Sequence, residues 1–175
     1  MFKKILVALD RSSEAFSVFD FALSLAQPET TEILLVHFVD WQIQDVSPLI
    51  GLGTLYDVDL SGERRRSSSK HLRKEVEYRS NWLELYTQKA NKLNLSCEFD
   101  CLVGGCYIGI GDRAKEWGAD LIVIGRRGHK NISEILLGSV SNYVIHHAPC
   151  SVLVVQGDKA AEVDDLAMTE EVNVY

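Results

Sequence analysis

The sequence predicts an α/β protein: a single domain built on an open parallel sheet of five strands with helices on both faces. Two observations carry this. Five short apolar runs, most of them continuous as in strands buried on both sides, alternate with segments whose apolar residues recur at helical spacing. That alternation gives a parallel sheet joined by right-handed crossovers. In addition, 175 residues, 46% of them hydrophobic, are enough for one well-cored domain and short for two.

Lys4-Ile5-Leu6-Val7-Ala8-Leu9 is the first run, ended by Asp10. Ser12 or Ser13 can cap the helix that follows, in which Phe16, Phe19, Leu23 and Ala26 recur at helical spacing until Pro28 closes it. Ile33 to Val39 is the second strand, ending at Asp40. From Trp41 to about Gly62 the pattern dissolves around Pro48, Gly51, Gly53 and Gly62, and connections this long are usually functional or mobile. A long helix is expected from about Arg64 to Leu93, with Val76, Leu83, Tyr86, Ala90 and Leu93 as its inner stripe. Cys97 to Val103 alternates as a third strand. Gly104-Gly105 turns the chain into a helix from about Tyr107 to Trp117, stopped by Gly118. Ala119 to Ile124 is the fourth strand, Ser139 to His147 a helix ended by Pro149, and Ser151-Val152-Leu153-Val154-Val155 the fifth strand. The domain is therefore expected over residues 1–156, followed by an acidic tail, 157–175, poor in core-building residues and expected to be disordered or loosely docked.

The net charge is −7, so neither nucleic acid nor an anionic membrane is an expected partner. No apolar run approaches the eighteen or so residues of a membrane span, and Met1-Phe2-Lys3-Lys4 leads straight into the first strand, so no secretory signal is expected. Cys97, Cys101, Cys106 and Cys150 show no C-x-x-C spacing and read as reduced thiols in the cytoplasm rather than zinc ligands. The basic run from Arg64 to Lys74 reads as a solvated helix face or a contact for an acidic partner.

One motif carries chemistry. Gly125-Arg126-Arg127-Gly128, nine residues, then Gly138-Ser139-Val140-Ser141 place a glycine-punctuated loop between the fourth strand and a helix start. Glycines allow φ > 0 and close backbone approach. Loop N–H groups and the first helical turn offer donors to an anion, and Ser139 and Ser141 add hydroxyls. The plainer reading is a tight strand-to-helix connection, with Asp10 as a capping carboxylate. Open sheets bind ligands where the strand order reverses; if the first and fourth strands are neighbours, Asp10 and the glycine loop share one crevice.

Other features point away from chemistry. Gly109-Ile110-Gly111-Asp112-Arg113-Ala114 fits a dinucleotide fingerprint, but its first glycine comes well after Val103, which favours glycines that let a helix pack closely. His129 reads as a solvated loop residue with a phosphate contact as the rival, His146-His147 as complements of a helix C-terminus, and His37 as a hydrogen-bonded core residue. No lysine precedes Ser139 as in a P-loop and no catalytic constellation stands out, so no catalytic residue is assigned and fast phosphoryl transfer is not expected.

The pattern G-x2-G-x9-G-[S/T] resembles the signature of the universal stress protein family, in its ATP-binding branch. Ile5 to Ser12, Gly118 to Gly125, and Gly138 to Ser141 with His146 to Cys150 are similar to that family's opening strand, fourth strand and ending. The resemblance implies a Rossmann-like sheet in the order 3-2-1-4-5 that binds an adenine nucleotide, and a homodimer. It places Asp10 near the ribose and any Mg or Mn on the phosphates, and Ala8 and Phe38 at the adenine. Gly125, Gly128, Gly138, Ser139, Val140 and Ser141 would hold ribose and phosphates, with Ile124 and Arg127 in the same site. ATP or AMP is the implied ligand of a cytoplasmic, nucleotide-dependent stress regulator; the alternative is a slow ATP hydrolase or another ATP-using enzyme. Two departures stand out: Gly105-Cys106 replaces the common Asp/Asn-Pro, and Arg126-Arg127 replace small or His residues. The fifth strand, with nothing strand-like after it, is expected at an exposed edge. The resemblance covers that edge with a second subunit; the acidic tail is the rival cover.

Overall fold

The computed structural model describes residues 2–40, 58–126 and 137–157, with backbone alone for 58–68. Nine elements follow in order: β1 (Lys4–Ala8), α1 (Ala15–Leu25), β2 (Glu32–Val39), α2 (Val58–Lys92), β3 (Ser96–Val103), α3 (Cys106–Trp117), β4 (Leu121–Gly125), α4 (Ser139–His147) and β5 (Ser151–Val155). The five strands form one parallel sheet in the order β3-β2-β1-β4-β5, as expected. β5 and β3 are its edges.

The two-residue period of the strands sorts their side chains into two cores. Ile5, Val7, Ile33, Leu35, Leu121 and Val123 face α1 and α2, where Phe19, Trp82, Leu83 and Tyr86 close the layer. Leu6, Leu34, Val36, Ile122 and Ile124 face α3 and α4, against Ile110, Ala114 and Val144. Continuous apolar strands are the result of this two-sided burial. Edge-to-face aromatic pairs join α2 to α1 and β2: Phe19–Tyr86 at 4.9 Å and His37–Trp82 at 5.5 Å between ring centroids.

Three local expectations need correction. Neither Ser12 nor Ser13 caps α1; Glu14 occupies the cap position without a side-chain bond. Ser12 is engaged elsewhere: its N–H and hydroxyl donate to Asp10 Oδ1 at 3.1 and 2.5 Å, forming an Asx turn. Second, α2 starts at Val58, so residues 58–62 belong to the helix rather than to the connection. Third, Leu93 is 53% exposed, because the chain leaves α2 through Asn94 at φ 59° and Leu95 takes the buried place instead. The connection 41–57, the loop residues 127–136 and the tail 158–175 lie outside the described residues.

Candidate functional site

β1 pairs with β4, Ala8 lying opposite Ile124, so Asp10 and Arg126 leave the sheet at the same carboxyl edge. From β1 the chain builds outward to β2 and β3, then crosses to β4 on the other side. The strand order reverses between β1 and β4, where open α/β sheets form their ligand crevice.

The base of the glycine loop is fixed by backbone bonds. Arg126 N–H donates to the Val155 carbonyl at 2.7 Å, and Gly138 N–H donates to the Arg126 carbonyl at 2.8 Å. Ser141 is buried, and its hydroxyl donates to the Gly125 carbonyl at 2.6 Å. The last two of these bonds hold the first turn of α4 against the end of β4, and the first ties that end to β5. No side chain caps that turn, and the first intrahelical bond is made by Asn142 N–H to the Gly138 carbonyl at 2.9 Å. The N–H groups of Ser139, Val140 and Ser141 thus have no acceptor within the helix, at its positive end.

Neither Gly125 nor Gly138 uses a positive φ. Gly138 sits at φ −59°, ψ 150°, a conformation open to any residue, and Gly125 is a strand residue paired with Val155. Positive φ among the described glycines occurs at Gly104 and Gly118, the turns flanking α3. Ser139 is exposed at the helix mouth, and Ser141 contributes structure through its hydroxyl. Arg127, Gly128 and His129 lie outside the described residues.

Across the crevice, Asp10 is half-buried, with both hydrogen bonds on Oδ1 and none on Oδ2 among the described residues. Arg11 beside it donates to the Tyr78 hydroxyl at 2.8 Å, tying α2 to this turn. Ala8 and Phe38 share the α3 side of the sheet. Phe38 lies against Gly109, where an added Cβ would come within 2.3 Å of its ring, so that glycine serves packing rather than a dinucleotide. Burial pushes the Cys106 thiol up, and the Asp40 and Asp10 carboxylates add to this, which marks a negative side of the crevice opposite α4. Among the described residues no group of three or more His, Cys, Asp or Glu could hold a metal ion. His37 is the core residue expected: its Nδ1–H donates to the Leu9 carbonyl at 2.8 Å. His147 complements the end of α4 through the Tyr143 carbonyl at 2.9 Å. One residue at this edge escaped sequence reasoning. Tyr107, in the first turn of α3, places its hydroxyl 3.1 Å from Ser139 Oγ.

A doubly wound sheet with a helix N-terminus and a carboxylate at one switch point is the arrangement in which open α/β sheets bind ligands. The sequence model of the universal stress protein family matches residues 1–156. The chain is 40% identical over 157 residues to Universal stress protein Sll1388 of Synechocystis sp., covering 87% of this chain and 97% of that one. The chain belongs to the universal stress protein family. The solved structure of the protein MJ0577 superposes with a TM-score of 0.73 at 25% identity, covering 90% of this chain and 98% of the other. A universal stress protein family member from Arabidopsis thaliana, solved with AMP bound, gives a TM-score of 0.57 at 20% identity, covering 94% of this chain and 99% of the other. Among the described residues no helix is long and apolar enough to cross a membrane.

Proposed function

We propose that this chain is an ATP- or AMP-binding universal stress protein, a cytoplasmic regulator whose shape or partner choice follows its nucleotide. The observation that carries the reading is the pinned, uncapped first turn of α4 facing Asp10 across the β1/β4 switch point. In this reading the N–H groups of Ser139, Val140 and Ser141 take the phosphates. Gly125, Gly128, Gly138 and Arg127 line their path, and Ala8, Phe38 and Ile124 meet the adenine and sugar. Asp10 accepts from the ribose and is a ligand of Mg or Mn carried on the phosphates. The AMP held by the Arabidopsis thaliana relative supports the ligand class. The functional unit is residues 1–156, with the acidic tail outside it.

The same reading includes a homodimer through β5. The Val155 carbonyl faces inward to Arg126, so Val154, one residue back, presents its backbone groups to the open edge. Ile145, 43% exposed, lies about 200° around α4 from both Tyr143 and His147, which face α3, and so points away from that helix. Native mass spectrometry of freshly purified protein tests both parts. Dimer mass with retained adenine nucleotide is expected; a bare monomer that takes up no added ATP contradicts them. ADP release in the presence of Mg would move the protein to the rival class of slow ATP hydrolases.

A further inference from the structure

We propose that Tyr107 is a positioning residue of the phosphate site, aiming the Ser139 hydroxyl at a bound phosphate. The inference rests on the nucleotide reading above and adds to it a residue from a different helix. The Tyr107 hydroxyl lies 3.1 Å from Ser139 Oγ, at the uncapped start of α4. A serine hydroxyl has one proton and can also accept. When a phosphate oxygen takes the Ser139 proton, the phenol must be the donor in the Tyr107–Ser139 pair. Donation into Oγ leaves the serine proton pointing away from Tyr107, and the two bonds polarise each other.

The phenol is held in place to do this. The Tyr107 ring meets Tyr143 edge-on, with centroids 6.1 Å apart and planes at 89°. Tyr143 in turn stacks on His147 at 4.0 Å and 10°. Tyr107 is nevertheless 44% exposed, so its contact with Ser139 does not serve to satisfy a buried hydroxyl. A half-exposed tyrosine gains little stability from one such bond; what the bond supplies is the direction of the serine proton.

Calorimetry with ATP and with adenosine on the parent, Tyr107→Phe, Ser139→Ala and the double variant tests this. Phe keeps the ring and its edge contact, so the melting temperature of Tyr107→Phe should match the parent. Its ATP affinity should fall about five-fold, the scale of one net hydrogen bond, while adenosine affinity stays unchanged. The double variant should bind ATP no more weakly than Ser139→Ala alone. Tyr107→Phe binding ATP like the parent, losing ATP and adenosine alike, or weakening the Ser139→Ala background further would each overturn the proposal. A parent that binds ATP but shows these outcomes leaves the nucleotide reading standing. A parent that binds neither ligand overturns both.

Discussion

Asp10 and His37 stand near the same end of neighbouring strands with opposite relations to water. Asp10 keeps one carboxylate oxygen free of protein donors among the described residues. Asn in its place retains an acceptor for Ser12 but carries no charge. Asp10→Asn should therefore melt within a degree or two of the parent and bind Mg-ATP more weakly, by the several-fold a charge-assisted contact is worth; equal binding with a large melting loss would make Asp10 purely structural. His37 is 8% exposed and packs edge-on to Trp82 at 5.5 Å. Burial lowers its pKa below 6.5, outweighing the Leu9 bond that favours the charged form. The unfolded chain then takes up the proton first. The neutral ring costs nothing above about pH 6.5, and stability falls as the pH drops below that value, by at most ~1.4 kcal/mol per unit. Urea unfolding at pH 7.5 and 5.5 should show a smaller loss for His37→Gln than for the parent. An identical loss would mean His37 titrates alike in both states. Cys97, pushed up to about 11 by burial, should resist thiol reagents at pH 8 in the folded protein.

At the scale of elements, α3 packs on β2 through Gly109 and Phe38. An alanine inside a helix normally stabilises by ~1 kcal/mol over glycine, but at Gly109 its Cβ would fall 2.3 Å from the Phe38 ring. Gly109→Ala should be destabilising in the parent, by about 1–2 kcal/mol, as overpacked cores are, and stabilising in a Phe38→Ala background. Chemical denaturation of the four proteins reads that change of sign; the same effect in both backgrounds would refute the contact. This collision accounts for Gly109, the first glycine of the dinucleotide-like pattern in α3; nothing comparable faces Gly111. The strands were legible because two-sided burial writes them as apolar runs. The start of α2 was not, since Gly62 reads as a breaker although a long helix tolerates one glycine at ~1 kcal/mol. The α1 cap was misread because the Ser12 hydroxyl is drawn to Asp10 rather than to the helix. At the site, the strand ends and the α4 start were visible in the spacing. Two contacts were not: Ser141 on the Gly125 carbonyl and Tyr107 on Ser139 depend on how α4 packs against β4 and α3.

For the whole molecule, the sheet order leaves β5 at an edge that is apolar along its length, a surface that invites pairing. Pairing with a second copy would be self-complementary across a two-fold axis. Val154→Pro removes an outward donor and spares the inward bond from Arg126 to Val155. Light scattering should find the parent dimeric and this variant monomeric with nucleotide binding intact; a monomeric parent at micromolar concentration would sink the dimer. The central claim is that a nucleotide's phosphates rest on the first turn of α4. Gly138 tests it most directly, because its backbone conformation suits any residue, so a side chain there adds bulk without backbone strain. The measurement is calorimetric titration of ATP into the parent and Gly138→Val at matched melting temperature. The parent should bind and the variant should lose most of its affinity, by ten-fold or more. Undiminished binding to Gly138→Val would contradict the account.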